Sequence, residues 1–313
     1  LCQTSALRED RKNVSGGTCV MNADSVKARL KNFAVKNGCT FQEALTYYGL
    51  ERTIYRISVS KYAEQFVLKG GIFLYAVFDR RYERATTDVD LLARRISNSG
   101  EEMKNVFREM LSLDIDDALV FDIDSITVED ITEFKEYHGL HISAVGYLDR
   151  AKIPVGIDIG FGDVIYPDAV KMDFPVILDR DPPRVNAYSL ESSIAEKLEA
   201  IIHNGYLNSR YKDFYDIYVL SQKYEFSYEE LWNAVVATFE NRKTQMTMDS
   251  AAFGDEFLND PMHQTRWNSF LKKKKALIQV SMTDMMDRVK EFVRPVLEGT
   301  AKAKWNPEKG IWE

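Results

Sequence analysis

Apolar residues recur at helical spacing where the chain first shows a pattern. Between Ala23 and Asn37, Val26, Leu30, Phe33 and Ala34 follow one another at three- and four-residue steps, with Asp24 or Ser25 placed to cap the helix and Gly38 to stop it. Thr40 to Tyr48 repeats the pattern with Thr40 as cap, and a third helical stretch covers about Thr53 to Gln65. Phe66-Val67-Leu68 is then a short apolar run that halts at Gly70-Gly71, and Ile72 to Phe78 is an unbroken apolar run able to form a helix. Asp88-Val89-Asp90-Leu91-Leu92 reads as a strand whose period of two puts Asp88 and Asp90 on one face and Val89 and Leu91 on the other.

Glu101 to Leu113 is helical again, followed by strand-like runs at Leu119 to Val128, Leu140 to Tyr147 and Lys152 to Ile159. In the last of these Val155, Ile157 and Ile159 share one face while Gly156 and Asp158 share the other, and Gly160-Phe161-Gly162-Asp163 turns the chain away. Residues 173 to 188 carry Pro175, Pro182 and Pro183 and read as an extended connection, with a domain boundary near Asn186. Beyond it the pattern is helical: a helix capped by Ser189, another over about Ser209 to Gln222, then Tyr228 to Asn241, Asp249 to Phe257, Pro261 to Lys274 and Thr283 to Leu297. Trp305, Pro307 and Trp312 in the tail are expected to pack back onto this bundle. The fold class is therefore α+β, a mixed β-sheet domain over residues 21–186 followed by a C-terminal helical bundle over 187–313. The chain begins at Leu1, so Met21 is a candidate natural start, with residues 1–20 a tag or extension.

Composition adds bounds. In 313 residues, 45% hydrophobic and 12% aromatic content is ample for a packed core, which excludes a disordered chain. The net charge of −7 removes any general attraction to nucleic acid, so an RNA contact needs a local basic patch. Lys272 to Lys275 is one candidate, and a solvated helix face is the plainer reading of it. Cys2, Cys19 and Cys39 lack a Cys-x-x-Cys spacing, which argues against a disulfide framework and a zinc site and fits a reducing cytoplasm. No apolar run reaches the roughly 18 residues of a membrane span.

Candidate chemistry gathers between Lys69 and Asp90. Two glycines let backbone N–H groups approach a phosphate without Cβ obstruction, and a helix N-terminus adds partial positive charge. The side-by-side carboxylates of Asp88 and Asp90 repel unless a cation sits between them, and Mg²⁺ takes hard oxygen ligands that it shares with substrate phosphates. Asp122-Ile123-Asp124 has the same spacing without a Gly-Gly turn ahead of it. Asp158, on a strand flanked by glycines, is the third carboxylate of the expected site; Asp163 is its rival, and capping the turn is the plainer role for it. In the helical half, Lys197 falls at the edge of the stripe Ile194, Leu198, Ile201 and Ile202, placed either to snorkel or to hold a triphosphate. Asp213 falls in line with Ile217 and Leu220 and needs a partner, for which Lys197 is the obvious choice, whereas Lys212 and Asp216 are expected on the wetter side. His203 and His263 are isolated and carry no assigned chemistry.

Five ordered blocks, Lys69-Gly70-Gly71, Arg84 to Asp90, Ile157 to Asp163, Ala195 to Leu198 and Asn208 to Asp216, resemble the AbiEii/AbiGii nucleotidyltransferase toxins, a branch of the DNA polymerase β-like superfamily. The resemblance implies a nucleotidyltransferase core with a C-terminal helical domain, acting as the toxin of a bacterial toxin–antitoxin or abortive-infection pair. It implies phosphate cradling by Gly70 and Gly71, metal binding by Asp88, Asp90 and Asp158, triphosphate binding by Lys197 and a required acid at Asp213. Lys69, Arg84, Thr87 and Lys212, from the same blocks, complete the expected nucleotide-binding set. The family often carries Thr or Ser after the glycine pair, where this chain has Ile72-Phe73.

Some members are similar to enzymes that add nucleotides to the acceptor end of tRNA. The expected reaction is therefore Mg²⁺-dependent transfer of a nucleoside monophosphate from an NTP to RNA, with tRNA as acceptor, Mn²⁺ as a substitute metal and a cognate antitoxin protein as partner in the cytoplasm. Two other readings stay open: nucleotidylation of a protein hydroxyl, and an NTP-binding, antitoxin-binding module without turnover.

Overall fold

The computed structural model describes residues 22–80, 86–131, 139–273, 276 and 278–313. Residues 1–20, Arg84, Lys274 and Lys275 lie outside them. Helix α1 (Ala23–Asn37) is capped by Asn22, whose Oδ1 accepts from the Ser25 N–H, rather than by Asp24 or Ser25. Asp24 lies instead in the first turn, where its charge meets the positive end of the helix. Gly38 ends the helix at φ 65°.

Helix α2 (Phe41–Val59) joins what the sequence pattern divides into two helices. Thr40 and Glu43 form a reciprocal capping box at its start. The apparent break around Gly49 to Arg52 has two physical causes. Gly49 serves a close approach, since a Cβ there would lie 2.5 Å from Ile153 Cγ2. Glu51, Arg52 and Arg56 are buried charges on the core side. Arg52 and Arg56 both donate to Asp117, and Glu51 accepts the Ile177 N–H, so the interruption in the apolar pattern is a paired network.

A seven-stranded sheet follows, built from β1 (Phe66–Lys69), β2 (Asp88–Ala93), β3 (Val120–Ile131), β4 (Gly139–Leu148), β5 (Ala151–Phe161), β6 (Val170–Asp173) and β7 (Arg184–Ala187). Helix α3 (Gly70–Val77) stands between β1 and β2, and α4 (Gly100–Leu111) between β2 and β3. The strand order is β3-β4-β5-β2-β1-β7-β6; β2 pairs parallel with β5, β1 pairs parallel with β7 and the remaining neighbours are antiparallel. Strand β7 arises in the proline-bearing stretch expected to be a plain connection, and β6 ends where that stretch begins; β7 adds to β1 and carries the chain to the helical half. Helix α2 covers one face over β5, β2 and β7, and α4 packs on β3. Asp122-Ile123-Asp124 lies on edge strand β3 beside a bulge, three strands away from β2.

The helical half comprises α5 (Leu190–Asn204), α6 (Tyr211–Lys223), α7 (Tyr228–Arg242), α8 (Asp255–Asn259), α9 (Pro261–Lys273) and α10 (Met282–Leu297). Helix α5 packs against α6 and α7, and α6 against α10. The single helix expected over Asp249 to Phe257 is a 3₁₀ turn (Ala251–Phe253) and the short α8, separated by Gly254. The tail is a second sheet, in which β8 (Phe226–Ser227), β9 (Lys304–Asn306) and β10 (Ile311–Trp312) run in the order β10-β9-β8. Trp305 and Trp312 pack from it onto Phe292 of α10. Among the described residues no helix is long and apolar enough to cross a membrane.

Candidate active site

The chain passes directly from β1 into α3 at Gly70, whose φ of 65° lies in the left-handed region. This turn brings the Gly71 N–H to 3.2 Å from Asp90 Oδ2. Asp90 and Asp158 are register partners on the parallel strands β2 and β5, and Asp88 is opposite Gly156. The three carboxylates therefore lie on the same stretch of two adjacent strands. Val89, Leu91, Ile157 and Ile159 on the alternate face are fully or nearly fully buried and anchor them. A Cβ at Gly156 would lie 2.5 Å from Asp88 Oδ1, so the glycine leaves the space that this carboxylate occupies.

Each carboxylate has one oxygen held. Asp90 accepts from the Gly71 N–H, Asp88 Oδ2 from Thr87 Oγ1 at 2.9 Å, and Asp158 Oδ1 is 2.6 Å from His141 Nδ1. Burial pushes the Asp90 carboxyl above its usual range; Lys212 opposes that rise and the charge of Asp158 adds to it. Among the described residues no group of three or more His, Cys, Asp or Glu side chains is arranged to hold a metal ion by itself. The donor set nonetheless fits a hard divalent cation of the kind that takes one or two carboxylates and fills its remaining positions with substrate phosphate and water. Asp88, Asp90 and Asp158 supply hard oxygens only, and the charge of Asp158, which adds to burial in raising Asp90, is what such a cation offsets.

Across a cleft of about 510 Å³ stand the helices. Gly70, Gly71, Asp90 and Asp158 line one side; Lys197, Arg210, Lys212 and Asp213 line the other. Ser189 caps α5 by accepting the Ser192 N–H, which fixes the rotation of Lys197 about the helix. The Lys197 ammonium lies 3.1 Å from Asp213 Oδ1 and 2.8 Å from Asp216 Oδ2. Arg210 Nε holds the other Asp213 oxygen at 2.7 Å. Burial would raise the Asp213 carboxyl, but Lys197, Arg210 and Lys212 outweigh it and hold it below the usual range. Asp216, expected on a wet face, is fully buried. Helices α5 and α10 pack on α6 and remove that face from water, and Lys197 compensates the charge. Lys212 is exposed, as expected, and borders the cleft.

Lys69 lines the cleft, but its ammonium is already engaged by two carboxylates of the cleft wall. Its ammonium sits 2.8 Å from Asp163 and 2.8 Å from Glu196. Burial alone would lower it, yet these two carboxylates hold it well above the usual lysine range. Asp163 does more than cap a turn, since Arg242 of α7 also reaches it at 2.9 Å and continues to Glu199 at 2.8 Å. Burial works to raise the Asp163 carboxyl, but Lys69 and Arg242 bring it well below its usual range. The network fastens the ends of β1 and β5 to α5 and α7. Thr87 touches Asp88, and Arg84 lies outside the described residues.

Sequence reasoning missed His141, Glu196 and Arg242. The alternation along β4 already places His141 and Ser143 opposite the buried Leu140, Ile142 and Ala144. What it lacks is the register that sets His141 against Asp158. His203 lies 3.9 Å from Glu199, and His263 is buried with its Nδ1 at 2.7 Å from Tyr211 Oη.

The model of the nucleotidyl transferase AbiEii toxin family, of type IV toxin–antitoxin systems, matches residues 52–282. Among solved structures, the fold is similar to that of MenT4, a nucleotidyltransferase toxin from Mycobacterium tuberculosis H37Rv, at 14% identity and a TM-score of 0.49 over 88% of this chain and 98% of that one. It is also similar to JHP933 from Helicobacter pylori, at 13% identity and a TM-score of 0.45 over 80% of this chain and 90% of that one. No curated protein sequence matches the chain. The family match spans well over half of the chain, from α2 through the acidic strands and the glycine turn to the start of α10, and the chain belongs to the AbiEii family of nucleotidyltransferase toxins.

Proposed function

We propose that the chain transfers a nucleoside monophosphate from an NTP to a hydroxyl at the 3′ end of tRNA, with Mg²⁺ as cofactor and Mn²⁺ able to replace it. The observation that carries this reading is the arrangement of Asp88, Asp90 and Asp158 on neighbouring strands beside the Gly70–Gly71 turn, with Asp90 and Asp158 facing Lys197, Arg210 and Lys212 across the cleft. Negative strand positions next to a helix N-terminus and a cationic wall suit a triphosphate. The acceptor follows the resemblance to members that modify the acceptor end of tRNA. The family's type IV toxin–antitoxin assignment supports a cognate antitoxin protein as partner in the cytoplasm.

In this reading Asp88, Asp90 and Asp158 hold the metal, and the Gly71 N–H keeps Asp90 directed at it. A bound divalent cation supplies neutralisation of phosphate charge and lowers the pKa of the attacking hydroxyl. Lys197, fixed by Asp213 and Asp216, and the exposed Lys212 bind the β- and γ-phosphates. The acceptor oxygen bonds to the α-phosphorus, the bond from that phosphorus to the β-phosphate oxygen breaks, pyrophosphate leaves and the hydroxyl proton passes to water. Incubation with each labelled NTP and total RNA should label a tRNA-sized band, which Asp88→Ala and Asp90→Ala remove. Label on protein instead would move the acceptor to a protein hydroxyl, and tight NTP binding with no label on either would rule out transfer.

A further inference from the structure

His141 borders the acidic strands and none of the roles above uses it. It sits on β4 directly opposite Asp158 in the antiparallel β4–β5 register. Its ring is held at both nitrogens, with Nδ1 2.6 Å from Asp158 Oδ1 and Nε2 3.1 Å from Ser143 Oγ. Ser143 is two residues along the same strand and so on the same face. A carboxylate can only accept, so Nδ1 carries the proton and donates to Asp158. The glycine at 156 makes room for this: a Cβ there would lie 3.3 Å from His141 Cε1 as well as against the Asp88 carboxylate.

The three carboxylates are treated alike. Asp90 is held through one oxygen by a backbone N–H of the glycine turn, Asp88 by its neighbour Thr87, and Asp158 by His141. The hold on Asp158 is the one that comes from a side chain on a different strand, so a single substitution can remove it without touching the backbone. Without it the Asp158 carboxylate is free to rotate about its χ2 toward or away from Asp90, whose ionisation it already disfavours.

We propose that His141 is a positioning residue for the third carboxylate: by donating from Nδ1 to Asp158 Oδ1 it fixes the direction in which Asp158 offers its other oxygen to a divalent cation shared with Asp88 and Asp90. This rests on the reading of those three residues as the cation site. Partners of this kind, one bond removed from the metal, are worth about 10- to 100-fold in metal affinity when lost.

The test uses the full chain without nucleotide and Mn²⁺ as the probe, reading the loss of the free-Mn²⁺ electron paramagnetic resonance signal as protein is added. Wild type should bind, and Asp90→Asn should not. His141→Leu should weaken binding about 10- to 100-fold, and His141→Asn, whose side-chain amide N–H can take the place of Nδ1–H, should recover most of it. His141→Gln serves as a second variant lacking a donor at the Nδ1 position should the leucine variant fail to fold, which a thermal melt reveals. Equal Mn²⁺ affinity in wild type and His141→Leu overturns the positioning role while leaving the cation site in place. So does an asparagine variant as weak as the leucine one. If wild type and Asp90→Asn bind alike, or neither binds, the cation site itself fails and the inference falls with it.

Discussion

The carboxylate of Asp90 occupies the space that a side chain on Gly70 would need. A Cβ at position 70 would lie 2.7 Å from Asp90 Cβ and closer still to its carboxyl group, while the Gly70 φ of 65° disfavours any other residue independently. The turn and the acid therefore form one unit. Gly70→Ala must displace Asp90 and break its bond from the Gly71 N–H, so label transfer should fall as far as in Asp90→Asn. The backbone strain adds roughly 1 kcal/mol of destabilisation. Gly162→Ala provides the comparison. Its φ is 81° and a Cβ there would meet nothing within 4 Å, so it should show the backbone cost alone, with label transfer retained.

Lys197 compensates two buried carboxylates at once, Asp213 at 3.1 Å and Asp216 at 2.8 Å. Lys197→Met leaves Asp216 uncompensated by this ammonium and Asp213 dependent on Arg210. Breaking a buried ion pair from one side costs about 3–5 kcal/mol. Asp216→Asn keeps a hydrogen-bonding group against Lys197 and preserves the Lys197–Asp213 contact, so it should cost less, about 1–2 kcal/mol. Urea denaturation of the two variants should give that order. The reverse order would mean that Asp216, rather than Lys197, is the group the core depends on.

The parts of this site legible in the sequence were those set by a local period. The two-residue alternation put Asp88 with Asp90 and Asp158 opposite Ile157, and the helical period set Asp213 beside Ile217, where Lys197 pairs with it. Asp216 was misplaced because the helical wheel alone offers no sign that α5 and α10 cover its side of α6. His141 was missed for the same kind of reason: pairing with Asp158 depends on the β4–β5 register, which no single strand encodes. Lys69 belongs to a motif that suggests phosphate, yet residues 94 and 127 positions away take up its ammonium. In the fold, β7 was hidden by the prolines just ahead of it, and α2 was divided by a glycine and buried charges whose partners are remote in sequence.

Among the described lysines and arginines that line the cleft, Lys212 is the exposed one, and its charge acts on Asp90. Its removal should leave the fold alone, because surface substitutions are usually within about 0.5 kcal/mol. A charge-assisted bond to phosphate is worth about 1.5–3 kcal/mol, so Lys212→Met should weaken NTP binding by roughly ten- to a hundredfold. Calorimetric titration with NTP beside a thermal melt measures both. Unchanged NTP affinity would remove Lys212 from the nucleotide-binding set.

The Lys69–Asp163–Arg242 network should make stability acid-sensitive. The folded Asp163 carboxyl is held well below its usual range, since Lys69 and Arg242 outweigh the burial that would raise it. A carboxyl depressed on folding contributes stability that is complete above its unfolded value, about 3.9, and is lost as the pH falls through that value toward the folded one. Glu196 in the same network has the opposite sign: burial raises its carboxyl, Lys69 opposes this and Asp163 adds to it, so its share favours the fold as the pH falls. Asp163→Asn removes only the acid-labile part. At pH 7 it should be less stable than wild type by about 2 kcal/mol, the loss of charge-assisted hydrogen bonds. The gap should narrow steadily in urea denaturation between pH 5 and pH 3. A gap that stays constant over that range would mean that Asp163 is protonated to the same degree in the folded and unfolded chains, and that its contacts with Lys69 and Arg242 carry no charge-dependent stability.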